Sequence, residues 1–269
     1  MPLTKNRIRA IRSLTLRKGR DELGLFLAEG LRLVGDAASS GAEIAEAFAT
    51  EEFERSAAGG ELCGRLRSRG AACRRVSARE LSAIADTVHA QGIVALVRIP
   101  RPDAAEIFRR AQAPAVAVAL DGVADPGNLG SIVRTCDWFG AAGLLVGRGS
   151  VDLYNPKVVR ATMGGLFHIP CVQEISLSGA LSAARRMGFA VVVADAREGT
   201  PEEETEFTPR SLIVLGSEAR GVDPALAALA DLHVAIRRRG GGESLNVGVA
   251  CGIILAACRR RQEKSAEGR

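Results

Sequence analysis

The sequence predicts an α/β protein built on two successive sheets. Three observations predict it. Strand-like apolar runs alternate with runs of helical spacing up to residue 97, break at Pro100, Pro102 and Pro114, and then resume. The segment Ala115 to Leu120 is apolar throughout, the pattern of a strand covered on both faces. Three later segments carry a strand-like run into a glycine-bearing loop, and loops at the carboxyl ends of such strands are where α/β sheets bind ligands.

In the first part, residues 1–99, Ile8, Ile11 and Leu14 have helical spacing. Leu25 to Ala28 reads as a strand, followed by a helix through Leu31, Val34 and Ala38 that stops near Gly41. Glu43 to Thr50 reads as a strand and Glu51 to Arg69 as one helix. Ser77-Ala78-Arg79-Glu80 is a capping box opening another helix, and Gly92 to Val97 closes the sheet as a buried strand. Residues 100–113 read as a linker holding a short helix, Ala104 to Ala111. In the second part, residues 114–269, the strands are Ala115 to Leu120, Gly143 to Val146, Phe189 to Ala194, Ser211 to Leu215 and Leu232 to Ile236. The helices are Asn128 to Phe139, Asn155 to Met163, Ser176 to Met187, Pro224 to Leu229 and Ser244 to Arg261, with a frayed polar tail from Gln262 to Arg269. The run Glu202-Glu203-Glu204 reads as a solvated loop.

Aromatic residues make up only 4% of the 269 residues, so the core must be built from Ala, Val, Leu and Ile. The formal charge of +5 permits an anionic partner and does not demand one. The positive charge is grouped: Lys5, Arg7, Arg9, Arg12, Arg17, Lys18 and Arg20 precede the first acid, Arg237 to Arg239 form a second group, and Arg259 to Arg261 a third. Each group alone is equally a solvated face; three in one chain lean toward a polyanion. Six cysteines without a C-x-x-C pair, and histidines far apart, exclude zinc spacing, so no metal is expected. The cysteines read as reduced thiols of a cytoplasmic protein, with Cys251 and Cys258 on one buried helix face. The basic opening segment lacks the apolar core of a secretory signal. The longest apolar stretch, Val247 to Cys258, is too short for a bilayer, so no membrane partner is expected.

Three motifs carry chemistry. In Asp125-Pro126-Gly127-Asn128-Leu129-Gly130, running on to Arg134, a turn leads into a helix with Asn128 as the expected N-cap and Arg134 one turn beyond Gly130 on the same face. In Leu215-Gly216-Ser217-Glu218-Ala219-Arg220-Gly221, a buried strand ends in a loop with two glycines and a carboxylate. In Gly240-Gly241-Gly242-Glu243-Ser244-Leu245-Asn246, three glycines precede a long apolar helix that Ser244 is expected to cap. Each motif alone is also an ordinary loop beside a core element.

Together and in this order the motifs resemble the SpoU (TrmH-type) family of RNA ribose 2′-O-methyltransferases, in the knotted SPOUT superfamily. The connecting segment from Asn155 to Gly165 matches as well, and the similarity spans residues 114–260. Phe26-Leu27-Ala28-Glu29-Gly30 and Gln91-Gly92 resemble the family's small substrate-binding domain, itself similar to ribosomal proteins that bind RNA. The chain departs from the family at Ile236-Arg237-Arg238, where many relatives have Ile-Pro-Met, and at the bulky Cys136-Asp137-Trp138.

The resemblance implies a C-terminal α/β sheet with a deep trefoil knot behind a ribosomal-protein-like RNA-binding domain. It implies S-adenosyl-L-methionine held by Leu215, Gly216, Gly221, Ile236 and Leu245, all after residue 114, so that the C-terminal part alone is expected to bind it. It implies methyl transfer to a ribose 2′-OH, with Arg134 central and Asn128, Glu218 and Asn246 beside it. Glu218 and Asn128 are expected to position Arg134, which acts as an electrostatic clamp because a guanidinium is a poor base. Arg7, Arg9, Arg12 and Ser244 are expected to meet RNA, ribosomal RNA before transfer RNA, and the family's pairing near the knot implies a homodimer. Two other readings stand beside this one: a family member that binds RNA without catalysis, and a nucleotide-dependent oxidoreductase. The intact motif residues oppose the first, and the lack of a G-x-G-x-x-G fingerprint opposes the second.

Overall fold

The computed structural model describes residues 2–87, 90–242 and 244–267; Glu243 of the third motif and the last two residues of the tail lie outside them. In chain order the helices are α1 (Lys5–Ser13), α2 (Arg17–Leu23), α3 (Leu31–Ser39), α4 (Glu51–Arg55), α5 (Ala57–Ser68), α6 (Ala78–Ile84), α7 (Ala104–Arg110), α8 (Pro126–Trp138), α9 (Pro156–Ala161), α10 (Leu177–Arg186), α11 (Pro224–Ala227) and α12 (Val247–Glu267). The strands are β1 (Leu25–Glu29), β2 (Ile44–Thr50), β3 (Ala72–Val76), β4 (Ile93–Arg98), β5 (Ala115–Asp121), β6 (Leu144–Gly147), β7 (Cys171–Ile175), β8 (Ala190–Ala194), β9 (Thr200–Pro201), β10 (Arg210–Gly216) and β11 (Leu232–Ala235).

The chain divides into two compact units, and the division is not a single cut. The first unit holds Met1–Pro100 together with Tyr154–His168; the second holds Arg101–Leu153 and Ile169–Arg269. The excursion of Tyr154–His168 belongs by sequence to the second half, yet Tyr154 packs its ring 4.8 Å from Phe26, and α9 packs on β1. No local pattern in the sequence marks that pairing.

In the first unit the sheet order is β1-β4-β2-β3. It is mixed: β4 is antiparallel to β1 and β2, and β2 is parallel to β3. Ile11 and Leu14 bury with Leu27, Phe48, Val94 and Leu96, which fastens the basic opening segment to the sheet. Glu80 closes the capping box on Ser77 and also accepts from Leu3 N–H at 2.7 Å. These bonds hold its carboxyl down at about 2. The single helix expected over residues 51–69 is two: Ser56 is extended and caps the second, accepting from Gly59 N–H.

In the second unit every paired strand is parallel, in the order β7-β6-β5-β10-β8-β11-β9. β5 and β10 are central and buried on both faces, as their apolar sequences require. From β5 the chain builds outward through β6 and β7, then crosses to the other side for β8, so the order reverses beside β5. Such a switch point opens a crevice at the carboxyl ends of the strands. β7 and β9 escape the sequence pattern. Glu174 at φ 58° interrupts β7, and β9 is two residues long. The tail is not frayed where it was expected to be: α12 runs to Glu267, and buried Gln262 donates to the carbonyls of Ala115, Thr208 and Pro209.

Candidate active site at the strand ends

Sheet register explains why distant motifs meet. β5 and β10 are neighbours with Asp121 opposite Gly216, so the loops that leave them are adjacent. Asp223 N–H donates to Asp121 Oδ2 at 2.8 Å and ties the second loop to the first. The third motif arrives by helix packing. Gly248 of α12 faces Ser131 of α8, and one turn later Gly252 faces Thr135, so the two helices run side by side in parallel. This sets the start of α12 beside the start of α8.

The N-cap of α8 is Asp125, not Asn128. Its carboxylate accepts from Asn128 N–H at 2.7 Å, and Pro126 takes the first helical position. Asn128 is thereby three residues inside the helix, and its side chain is released from capping. It is used between motifs: its amide donates to Glu218 Oε1, and its oxygen accepts from Asn246 Nδ2 at 2.8 Å. One residue from each motif joins in one hydrogen-bonded chain, across 90 and 118 residues of sequence.

The cap of α12 also shifts. Asn246, not Ser244, accepts from Gly248 N–H at 3.0 Å and Val249 N–H at 3.2 Å. Asn246 thus holds the helix start with its oxygen and the first motif with its nitrogen. Ser244 and Leu245 are exposed beside it.

Gly216 is required by close approach. A Cβ there would lie 2.0 Å from the carbonyl carbon of Gly221, because the loop closes on itself through a Ser217–Gly221 bridge. Gly221 sits at φ 71° with open space on its free side. Leu215 is buried, so it can meet a ligand only through its main chain. Leu245 is 46% exposed and Ile236 half-buried.

Arg134 stands apart. It is exposed on α8, and among the described residues its side chain has no hydrogen-bond or ion-pair partner. Asn128 bonds to both Glu218 and Asn246, and neither it nor Glu218 bonds to Arg134. Six residues separate Arg134 from Asn128, roughly 9 Å along a helix. The opening basic group is also divided. Arg7 pairs with the buried carboxylate of Glu46, which Arg74 grips from the other side at 2.5 Å, whereas Arg9 and Arg12 are exposed.

A thiol nucleophile has no place here. Burial raises Cys171 to about 12 and Cys258 to about 11. A hydrogen bond with Cys251 that favours the protonated thiol, together with burial, pushes Cys136 well above the ordinary thiol range.

Comparison with known proteins fits this geometry. Residues 115–256 match the model of the SpoU rRNA methylase family, and residues 5–95 match an MRM3-like substrate binding domain. The chain belongs to the SpoU rRNA methylase family. Its sequence is 30% identical over 244 residues to the 23S rRNA (guanosine(2553)-2′-O)-methyltransferase RlmP of Bacillus subtilis, covering 91% of this chain and 92% of the relative. The AdoMet-bound rRNA methyltransferase of Sinorhizobium meliloti superposes with a TM-score of 0.86 at 30% identity, covering 97% of this chain and 96% of that one. AviRb of Streptomyces viridochromogenes, a SpoU methyltransferase solved with AdoMet, gives 0.84 at 29% identity over 96% and 99%. SpoU enzymes use S-adenosylmethionine as methyl donor. Among the described residues no helix is long and apolar enough to cross a membrane.

Proposed function

We propose that this SpoU protein transfers a methyl group from S-adenosylmethionine to a ribose 2′-OH of ribosomal RNA. The observation that carries the reading is the Asn128–Glu218–Asn246 chain, which gathers the three family motifs at the crevice of a parallel sheet. The residues fit the cofactor. The main chain of Leu215, Gly216 and Gly221 offers amides and carbonyls at the open side of Gly221, and Ile236 with Leu245 offers an apolar edge for an adenine. The bound cofactor would supply an electrophilic methyl on a sulfonium. The ribose 2′ oxygen would bond that methyl as the carbon–sulfur bond breaks and a neutral thioether departs, and the hydroxyl proton would pass to water.

Arg134 is a charge to hold a phosphate or the developing alkoxide, not a base. Its distance along α8 from the motif cluster supports a site completed by a second copy. An exposed face runs down α8 through Ser131, Arg134 and Trp138, beside Val249 of α12; Trp138 is 86% and Val249 50% exposed. A homodimer through this face would cover the apolar groups and carry Arg134 toward the neighbouring site. Sedimentation giving only monomer at micromolar concentration refutes the dimer. The deep trefoil knot is likewise part of the proposal, and an experimental chain trace through residues 210–260 tests it. In the first unit Arg9 and Arg12 are the arginines of α1 left to meet RNA, with Arg7 holding Glu46.

The deciding experiment is mapping of 2′-O-methyl sites in cellular RNA with and without the protein. Loss of one ribosomal site on deletion is expected. Loss at a transfer RNA site instead would move the substrate class, and an unchanged map would overturn the reading.

A further inference from the structure

Most arginines of the second unit are committed to the protein itself. Arg109 and Arg110 pair with Glu106, Arg185 with Asp231, Arg237 with Glu204 and Arg261 with Glu206. Arg210 donates to the carbonyls of Phe108 and Ala111 and lies over the Phe189 ring. Around the strand ends the pattern reverses. Among the described residues the side chains of Arg220 and Arg239 have no partner, and Arg238 has one, the carbonyl of Gly242 at 3.1 Å. All three are exposed.

Their placement is not random. Arg220 lies in the loop that carries Glu218, and its guanidinium hangs over the first loop, 3.6 Å from where a Cβ on Gly122 would be. Arg238 and Arg239 lie in the loop between β11 and α12. That loop is fastened at both ends: Arg237 bonds Glu204 at 2.7 Å, and Asn246 bonds Asn128 at 2.8 Å. Among the described residues the nearby acids accept hydrogen bonds from the protein. Asp121 accepts from Asp223 N–H, Asp125 from Asn128 N–H, Asp223 from Ala225 N–H, and Glu218 from Asn128.

We infer that Arg220, Arg238 and Arg239 form a cationic rim that grips RNA phosphates flanking the nucleotide to be methylated. The inference rests on the methyl-transfer reading and gives a role to three arginines to which that reading assigns none. Two sources of anionic oxygen could meet such a rim, the cofactor carboxylate and the RNA backbone. The count and the charge favour RNA. The cofactor offers one carboxylate and carries a sulfonium and an ammonium, so three further cations would repel it on balance. A nucleic acid backbone presents a phosphate at every step, and a guanidinium fork matches phosphate oxygens two at a time.

The test uses the full-length protein, an unmodified 23S ribosomal RNA transcript and a transfer RNA transcript as probes, and the variants R220A, R238A/R239A and the triple. The triple is expected to raise KM for the methylated transcript by about tenfold or more, with the greater part of the loss in KM and not in kcat. The slope of log affinity against log salt should fall by roughly 2, at ~0.7 per single-stranded phosphate contact. Cofactor affinity by calorimetry should stay within about twofold. A lysine triple should keep most of the salt slope, which a merely structural role would not require. An unchanged KM and salt slope in the triple would overturn the inference, as would lost cofactor affinity with RNA binding intact, which assigns the rim to the carboxylate. Failure of the wild type to bind cofactor or transfer methyl groups would instead overturn the underlying reading.

Discussion

Arg237-Arg238-Arg239 and Arg259-Arg260-Arg261 look alike as sequence and differ in almost every structural respect. The second triplet sits on α12 and holds the fold together. Arg259 donates to Phe139 O at 2.9 Å and to Gly140 O, satisfying carbonyls at the end of α8, and reaches Gln262 as well. Arg261 donates to Glu203 O at 2.9 Å and pairs with Glu206. The first triplet sits on a loop at the strand ends, and among the described residues only Arg237 of the three has an acid partner. A run of cations is therefore not a binding site by virtue of its charge. What matters is whether the backbone beneath it presents carbonyls and carboxylates that consume the donors first.

The comparison can be broken most sharply at Arg134, an unpartnered cation by the same criterion. Arg134→Ala is expected to lower single-turnover methylation at saturating RNA by about 100- to 1,000-fold while leaving cofactor affinity in place. A wild-type rate would reduce it to a binding residue. Next comes Arg259→Ala, which strips a donor from two carbonyls at the end of α8 and should cost about 1–3 kcal/mol in denaturant unfolding. Its folded fraction should methylate normally; full stability would place Arg259 with the free cations. Arg261→Ala removes a partly exposed pair and should cost less than about 1 kcal/mol, read as a small shift in denaturation midpoint.

The smallest effect concerns a carboxylate held by backbone. Glu80, at about 2 in the folded chain, has a depressed pKa, so its contribution is present above its ordinary pKa of 4.5 and is lost as pH falls from there toward 2. Glu80→Gln should flatten the acid limb of the stability curve in that window and leave neutral pH nearly unaffected. An unchanged acid limb would show that the capping box is not what drives it.

Much of this architecture is legible in sequence because it is local. The apolar run of β5, the Ser77-Glu80 box and the order of the three motifs need only neighbours to be read. Caps are harder. Asp125 and Asn128 are both good cap residues, as are Ser244 and Asn246, and the choice falls to the residue whose backbone is last outside the helix, which pattern alone does not decide. Asn128 fits a cap by pattern and is instead the hub of the motif cluster, because Asp125 takes the cap. Least legible are pairings between remote residues. Nothing near Arg7 announces that Glu46, 39 positions on, will claim it, and nothing local marks Glu204 as the counter-charge of Arg237 or Glu206 as that of Arg261.

The excursion of Tyr154–His168 bears on how such proteins can be recombined. The chain passes between the two units at 100/101, 153/154 and 168/169. A chimera that swaps only the residues before 100 inherits a foreign β1 while keeping the native Tyr154 and α9 that pack on it. Exchange of the first unit among relatives therefore requires a discontinuous graft, two pieces moved together, because the N-terminal part alone leaves one short helix behind in the middle of the chain.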